Sequence, residues 1–511
     1  MKFNPNALKL ARLLLNSVTV FALVTKAFVY IGANCRRLAS DSRCYGCYGC
    51  YGFKGCYGFK GCYGSKGFYG LWVYFVALLA PLASLALEDE FELAPINYSE
   101  TVSDDAATRL RDKVVSGAVE LDRSSEKAFL RDVLAAFEIP EASQLLVFSK
   151  TSLQNSHISP ERPRALYFSD EVYIGWVQGG EIEIIAHDDR IGPTFYILKT
   201  PLNSFGTQQA TSGSTESTVG EKPRFQLQRE KQCLSCHAGS RTRGIPGFIA
   251  RSVYPDARGF PLLQAGSFTT SFDSPIQQRW GGWYVTGEHG EQRHMGNSIA
   301  TEDESGQVRL DLEAGANLKT LEGRFNVSPY LRPTSDIVAL LVLEHQLHLH
   351  NVFTTARHQT LRAEYRSQSM NRLLKIEQGE LSESNARVVD HQAERVVDAL
   401  LFKDVAPLGE GGVDGEPEFQ AAFLRHAKPN RDGRSLRDFQ LLDRLFKYRC
   451  SYMIYSRDFA TLPPRVKTLV LSKLEAGLMK ERPDGRYEYI GASERRKILS
   501  ILRETKILPA G

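Results

Sequence analysis

Two cysteines and a histidine in one short run, Cys233-Leu234-Ser235-Cys236-His237, constrain this chain more than any other stretch of it. The C-x-x-C-H spacing is the pattern by which a porphyrin is attached covalently as haem c. Each thiol adds to one vinyl group, so the two sulfurs must span an edge of the macrocycle from a single turn. The next side chain then falls beneath the iron, where an imidazole serves as proximal ligand. Cys233 and Cys236 are therefore the expected tethers and His237 the expected iron ligand.

Two other chemistries use paired cysteines. A redox dithiol of the thioredoxin kind wants a βαβ context, which the Ser/Thr/Gly-rich run before this site does not supply. A zinc site needs a second pair of ligands. Beyond residue 87 the only remaining cysteine is Cys450, which reads as a buried structural thiol.

Haem c is attached on the far side of the bacterial membrane, so the motif requires export. From Cys44 to Gly70 the chain is nine glycine-ended triplets, which read as an expanded short repeat rather than part of a fold. Leu71–Ala86 follows: an apolar run with Lys54, Lys60 and Lys66 before it, small residues at Ser84 and Ala86, and Glu88-Asp89-Glu90 after it. This is the layout of a secretory signal cleaved after Ala86, or of an N-terminal membrane anchor if uncleaved. Either reading puts the body of the protein in the periplasm or otherwise outside the cytoplasm.

The chain of 511 residues carries 63 Lys and Arg against 59 Asp and Glu, a net charge of +4. So even a balance gives no reason to expect nucleic acid as partner. The pattern divides into residues 1–86 (repeat and signal or anchor), 87–220 (mixed helix and antiparallel sheet), 221–330 (haem c-binding region) and 331–511 (helical), an α+β fold. Apolar residues at helical spacing mark 106–119 and 125–137. Short β-branched and aromatic runs at 145–148, 165–168, 172–177, 182–186 and 195–198 alternate with turn residues such as Ser169-Asp170 and Gly179-Gly180, as in an antiparallel sheet. Residues 205–222 read as a flexible loop. Residues 251–300 are aperiodic and rich in Gly, Pro and aromatics, and either wrap the cofactor in an irregular segment or form ordinary short strands. Ser335 is the expected N-cap of a helix over 335–357. Further helices are expected over 384–402, 435–450, 461–479 and 493–505.

The iron's sixth ligand decides between electron transfer and catalysis. Met295 lies 58 residues after His237 in a Gly-flanked loop and is the preferred candidate. A gap-filling core methionine is the alternative reading. His345, on the apolar stripe of its helix, is the second candidate, against the reading of a satisfied core histidine; His289 and His294 are weaker. Arg241 and Arg243 are candidates to face the haem propionates, or else are plain loop charges.

On Cys233, Cys236 and His237, with Met295 at the distal position, the segment 225–300 resembles the haem site of the c-type cytochrome superfamily. The body also resembles large exported bacterial proteins with a single C-x-x-C-H, through Gly282-Trp283-Tyr284-Val285-Thr286-Gly287 and Phe446-Lys447-Tyr448. These resemblances imply one covalent haem. The leading expectation is electron transfer with a redox partner protein. The alternatives are a peroxidase-like haem oxidoreductase with an open distal iron, and a haem-containing sensor or scaffold. No hydrolytic triad or phosphate loop points to another class of enzyme.

Overall fold

In a computed structural model, residues 89–200, 225–375, 379–479 and 485–509 are described. The expected signal or anchor at 71–86, the triplet repeat and the loop at 205–222 lie outside them. Leu87–Gly511 is one compact unit, of the α+β class. Among the described residues no helix is long and apolar enough to cross a membrane.

Two short helices open the unit, α1 (Ala106–Val115) and α2 (Glu126–Ala136), capped by Asp105 and Ser125 whose side chains accept the backbone N–H groups of Thr108 and Ala128. The expected strands follow as β1 (Leu145–Val147), β2 (Arg164–Phe168), β3 (Val172–Trp176), β4 (Ile182–Asp188) and β5 (Gly192–Leu198). They form an antiparallel meander. β6 (Leu227–Arg229) adds to the β5 edge, and β9 (Trp283–Tyr284) adds to the β1 edge, giving the order β6-β5-β4-β3-β2-β1-β9. The sheet thus draws strands from both the 87–220 and the 221–330 regions. Between them lie the one-turn helix α3 (Leu234–His237) and the hairpin of β7 (Ala250–Val253) with β8 (Ser267–Thr270). A smaller hairpin pairs β10 (Ala300–Glu302) with β11 (Val308–Leu310).

Strand alternation gives the sheet two different faces. Tyr167, Ile174, Ile184 and Tyr196 stand in one cross-strand row and pack with Leu130, Val133 and Leu134 of α2. On the opposite face, Leu166, Gly175, Glu183 and Ile197 are register partners, with Tyr173, Ile185 and Phe195 in the next row. This second face looks toward the long helix α4 (Ile337–Leu374), and it carries the site described below.

The helical third comprises α4, α5 (Glu383–Leu400), α6 (Pro417–Leu424), α7 (Arg457–Ala460), α8 (Pro464–Met479) and α9 (Ala492–Glu504). α4 runs 17 residues beyond the expected 357. Its N-cap is Asp336, not Ser335: the Asp336 carboxylate accepts the Ala339 N–H at 2.7 Å. The Ser335 hydroxyl is taken by the sheet edge, donating to Tyr284 O and accepting from Leu146 N. The helix expected over 435–450 does not form. Gln440 Oε1 accepts the backbone N–H groups of Leu442, Asp443 and Arg444, and Leu441 sits at φ 61°. A side chain that captures three successive backbone donors replaces the helical ladder with a tight turn.

Candidate functional site

Cys233, Cys236 and His237 come to the sheet through β6. Arg229 anchors the end of that strand by donating to Tyr98 O and Thr101 O, and the Glu230 N–H donates to Phe195 O. The Glu230 carboxylate caps the turn by accepting from Gln232 N at 2.8 Å. The chain then coils into α3 with His237 at its end, its ring 4.8 Å from that of Phe195.

His237 is held at both ends. Its backbone O accepts from Gly247 N, and its Nδ1 donates to Gly247 O at 2.8 Å. Donation from Nδ1 fixes the tautomer and leaves the Nε2 lone pair for a metal. Burial first, and nearby positive charge of Arg164, keep the imidazole below its ordinary range, so it is neutral at pH 7 as a ligand must be. The Gly247 carbonyl is itself positioned from α4: Asn351 accepts from Phe248 N at 2.7 Å and donates to Phe248 O at 2.8 Å. A Cβ on Gly247 would stand 2.6 Å from Asn351 Oδ1, which is why glycine occupies that position.

The motif opens onto a cleft of about 180 Å³ with an open mouth. That is smaller than the roughly 300–1,000 Å³ of enclosed small-molecule pockets, so a porphyrin held here would extend through the mouth to solvent. Its walls are largely apolar or aromatic: Phe195, Tyr173, Phe248, Trp283, Leu343 and Leu347 among them. The charged residues are Arg164, Glu183, Arg241 and Arg251. Glu183 turns over Gly175, where a Cβ would come within 2.9 Å of its carboxylate. It accepts from Arg164 at 2.6 Å, Ser152 at 2.7 Å and Gln154 at 3.1 Å. Burial raises the Glu183 pKa, but the Arg164 charge and these hydrogen bonds outweigh it and hold the carboxyl below its usual range.

Burial, followed by the charges of Glu183 and Glu230, pushes the Cys233 thiol up to about 12, the opposite of the depressed thiol that makes a cysteine reactive. Two thiols, a neutral imidazole with a directed Nε2 and apolar walls all fit a covalently held haem.

The expected sixth ligands lie elsewhere. Met295 is buried, and its sulfur accepts from Ser252 Oγ at 3.5 Å. Ser252 and Arg251 are neighbours on β7 and project to opposite sides; Arg251 lines the cleft, and Met295 does not. His345 stacks on Phe402 at 4.7 Å and its Nε2 bonds Ser451 Oγ at 2.8 Å, outside the cleft. His289 and His294 pack on each other, and His294 also on Trp280. Arg241 lines the cleft; Arg243 does not, and its charge is instead felt at His348 and Arg395. Cys450 is fully buried.

Sequence reading missed Gly247 and Asn351, which orient His237, and the Arg164–Glu183 pair. It also missed a buried cluster in which His187, His350 and Asp458 offer donor atoms within 4.8 Å of one another. The cluster already contains its cation. Arg357 donates to Asp458 Oδ1 at 2.9 Å, and the side chain is 1% exposed. Both ring nitrogens of His350 are engaged by oxygens, Asp458 Oδ2 at 2.8 Å and Asp170 O at 3.0 Å. This arrangement is an internal salt-bridge network between β4, α4 and α7 rather than a metal centre.

No family model matches the chain, and no curated protein or solved structure is significantly similar to it. The functional argument therefore rests on the cleft.

Proposed function

We propose that this chain carries one haem c in the cleft over the sheet and serves as an oxidoreductase for a small oxidant of the peroxide class, rather than as a plain electron carrier. The observation that carries this choice is the donor content of the cleft. Among the described residues His237 is the one histidine lining it, and no methionine does. The internal segments 201–224, 376–378 and 480–484 contain no histidine, methionine or cysteine. A haem iron held by His237 would find no second histidine or methionine among the described residues lining the cleft, and would then offer a site to water or substrate.

Haem, when bound, supplies the electron-transfer chemistry and an acceptor site for the oxidant. The chain's own residues do the rest. Cys233 and Cys236 tether the ring, and His237 is oriented by Gly247. Tyr173, Phe248, Trp283 and Leu347 exclude bulk water from the cleft. Glu183 is ionised at neutral pH and is the carboxylate lining the cleft that would orient the oxidant by accepting a hydrogen bond from it, the protons for the departing oxygen coming from water. Arg164 holds it in place. Reduction of hydrogen peroxide takes two protons and two electrons and yields two waters, the electrons coming from a redox partner protein. The exposed Ser235 and Cys236 mark the edge at which such a partner reaches the cofactor. The export signal read at Leu71–Ala86 supports a periplasmic setting, with or without a membrane anchor.

The test is the chain matured with a c-type haem system. Haem is expected to survive denaturing electrophoresis and to be lost from that band in Cys233→Ser and Cys236→Ser. The ferric protein is expected to be high-spin and to bind cyanide. A low-spin ferric spectrum with two protein ligands refutes the open site and returns the reading to electron transfer. Absence of covalent haem refutes the proposal altogether.

A further inference from the structure

The cleft carries an electrostatic imbalance that the protein does not resolve by itself. Of its four charged side chains, Arg164 and Glu183 neutralise one another at 2.6 Å. Arg241 and Arg251 remain, and among the described residues neither has a carboxylate partner. Arg251 is the more constrained. It projects from β7 into the cleft, is half-buried, and its Nε is buried with no hydrogen-bond partner. Its one hydrogen bond is long, 3.4 Å to the neutral hydroxyl of Ser267. Its backbone cannot retreat easily, because Arg251 O accepts from Trp283 Nε1 at 2.7 Å. Burial, and then repulsion from Arg241, lower its proton affinity. A buried guanidinium N–H without an acceptor is costly, and a second cation beside it adds to the cost. Both costs vanish when an anion with paired oxygens sits between the two forks, since guanidinium geometry matches carboxylate in two-point fashion.

We propose that Arg241 and Arg251 form a two-pronged carboxylate site at the mouth of the cleft, and that its ligand is the pair of propionate groups of a porphyrin. The identity of the carboxylates rests on the haem reading above; the anion site itself rests on the buried, unbonded Nε of Arg251 in the cleft wall, with the exposed Arg241 on the same lining. The site assigns a direction to the ring. The thioether edge lies at α3, and the carboxylate edge turns toward β7 and the solvent. Arg243, the partner that chain proximity suggests for Arg241, has no part in it.

The experiment separates the site from the covalent chemistry. In full-length Cys233→Ala/Cys236→Ala protein, binding of metal-free mesoporphyrin and of its dimethyl ester is followed by fluorescence. The ester has the same ring without the carboxylates. The dicarboxylate is expected to bind at least about tenfold more tightly than the ester. That preference is expected to disappear in the further variant Arg241→Gln/Arg251→Gln, with ester binding unchanged. Equal affinities for acid and ester in the parent protein overturn the carboxylate site while leaving the porphyrin cleft standing; this arm needs no arginine variant to fold. Failure of both porphyrins to bind overturns the cleft reading and the carboxylate site together.

Discussion

Replacing His345 by glutamine tests both its burial and its exclusion from the iron. The ring is 1% exposed, lies nearly parallel to Phe402 at 4.7 Å with 9° between planes, and bonds Ser451 Oγ through Nε2. Burial first, and then the charges of His348 and His350, push its pKa down from 6.5 to about 3. In the unfolded chain the same ring takes up a proton near pH 6.5. The unfolded state therefore binds more protons throughout the window from 6.5 down to 3, and the stability His345 contributes is present above 6.5 and lost as pH falls through that window. For one group with this shift the loss is about 1.4 kcal/mol at pH 5.5 and about 2 kcal/mol at pH 5. Glutamine reaches Ser451 with a similar polar tip but does not titrate. At pH 7.5 it forfeits the ring stack, at a cost of about 1–2 kcal/mol. His345→Gln is thus expected to be less stable than the parent at pH 7.5 and to lose about 1.4 kcal/mol less on going to pH 5.5. Urea unfolding at the two pH values measures both differences. The absorption spectrum of the haem-loaded variant is expected to be unchanged. Parallel stability losses in the two proteins would refute a buried neutral imidazole, and an altered spectrum would restore His345 as a ligand.

Three further substitutions probe the surroundings of the cleft. Met295→Leu keeps the buried volume, so it is expected to cost under about 1.5 kcal/mol and to leave the ferric spectrum and its spin state unchanged; loss of a low-spin component would make Met295 a ligand. Gly247→Ala drives a methyl to 2.6 Å from Asn351 Oδ1, and a loss of about 1–3 kcal/mol in stability is expected together with a lower haem-to-protein ratio. Unchanged loading would show that the Gly247 carbonyl does not position His237. Asp458→Asn leaves the Arg357 guanidinium buried without its counter-charge, for an expected loss of about 3–5 kcal/mol by denaturant titration. Zinc added to the parent protein is expected to leave its unfolding midpoint unmoved, and a rise would argue for a metal in the cluster.

The elements whose signal is local were legible in the chain. β1 to β5 are short β-branched and aromatic runs between turn residues, and each expected run overlaps an observed strand; β3 is buried along its whole length, so composition and turn residues mark it rather than alternation. The C-x-x-C-H spacing is local in the same sense: its chemistry is set within one helical turn. The turn at 435–450 escaped because Gln440 captures backbone donors that a helix would use, and apolar spacing does not register such competition.

What only the tertiary structure decided is which distant residues share the cleft. Glu183 reaches Arg164 diagonally across β3, because the register places Leu166, Gly175 and Glu183 in one row and Arg164 two residues along β2 on the same face. Asn351 reaches Phe248, 103 positions away, because α4 lies along that face of the sheet. Met295 and Arg251 lie on opposite sides of β7, and chain separation from His237, a natural guide for Met295, carries no information about which side a strand presents. Strand register and helix packing set these adjacencies, and both depend on the whole core. The sequence by itself set Cys233, Cys236 and His237 within one turn; the fold decided which charges and apolar walls surround them.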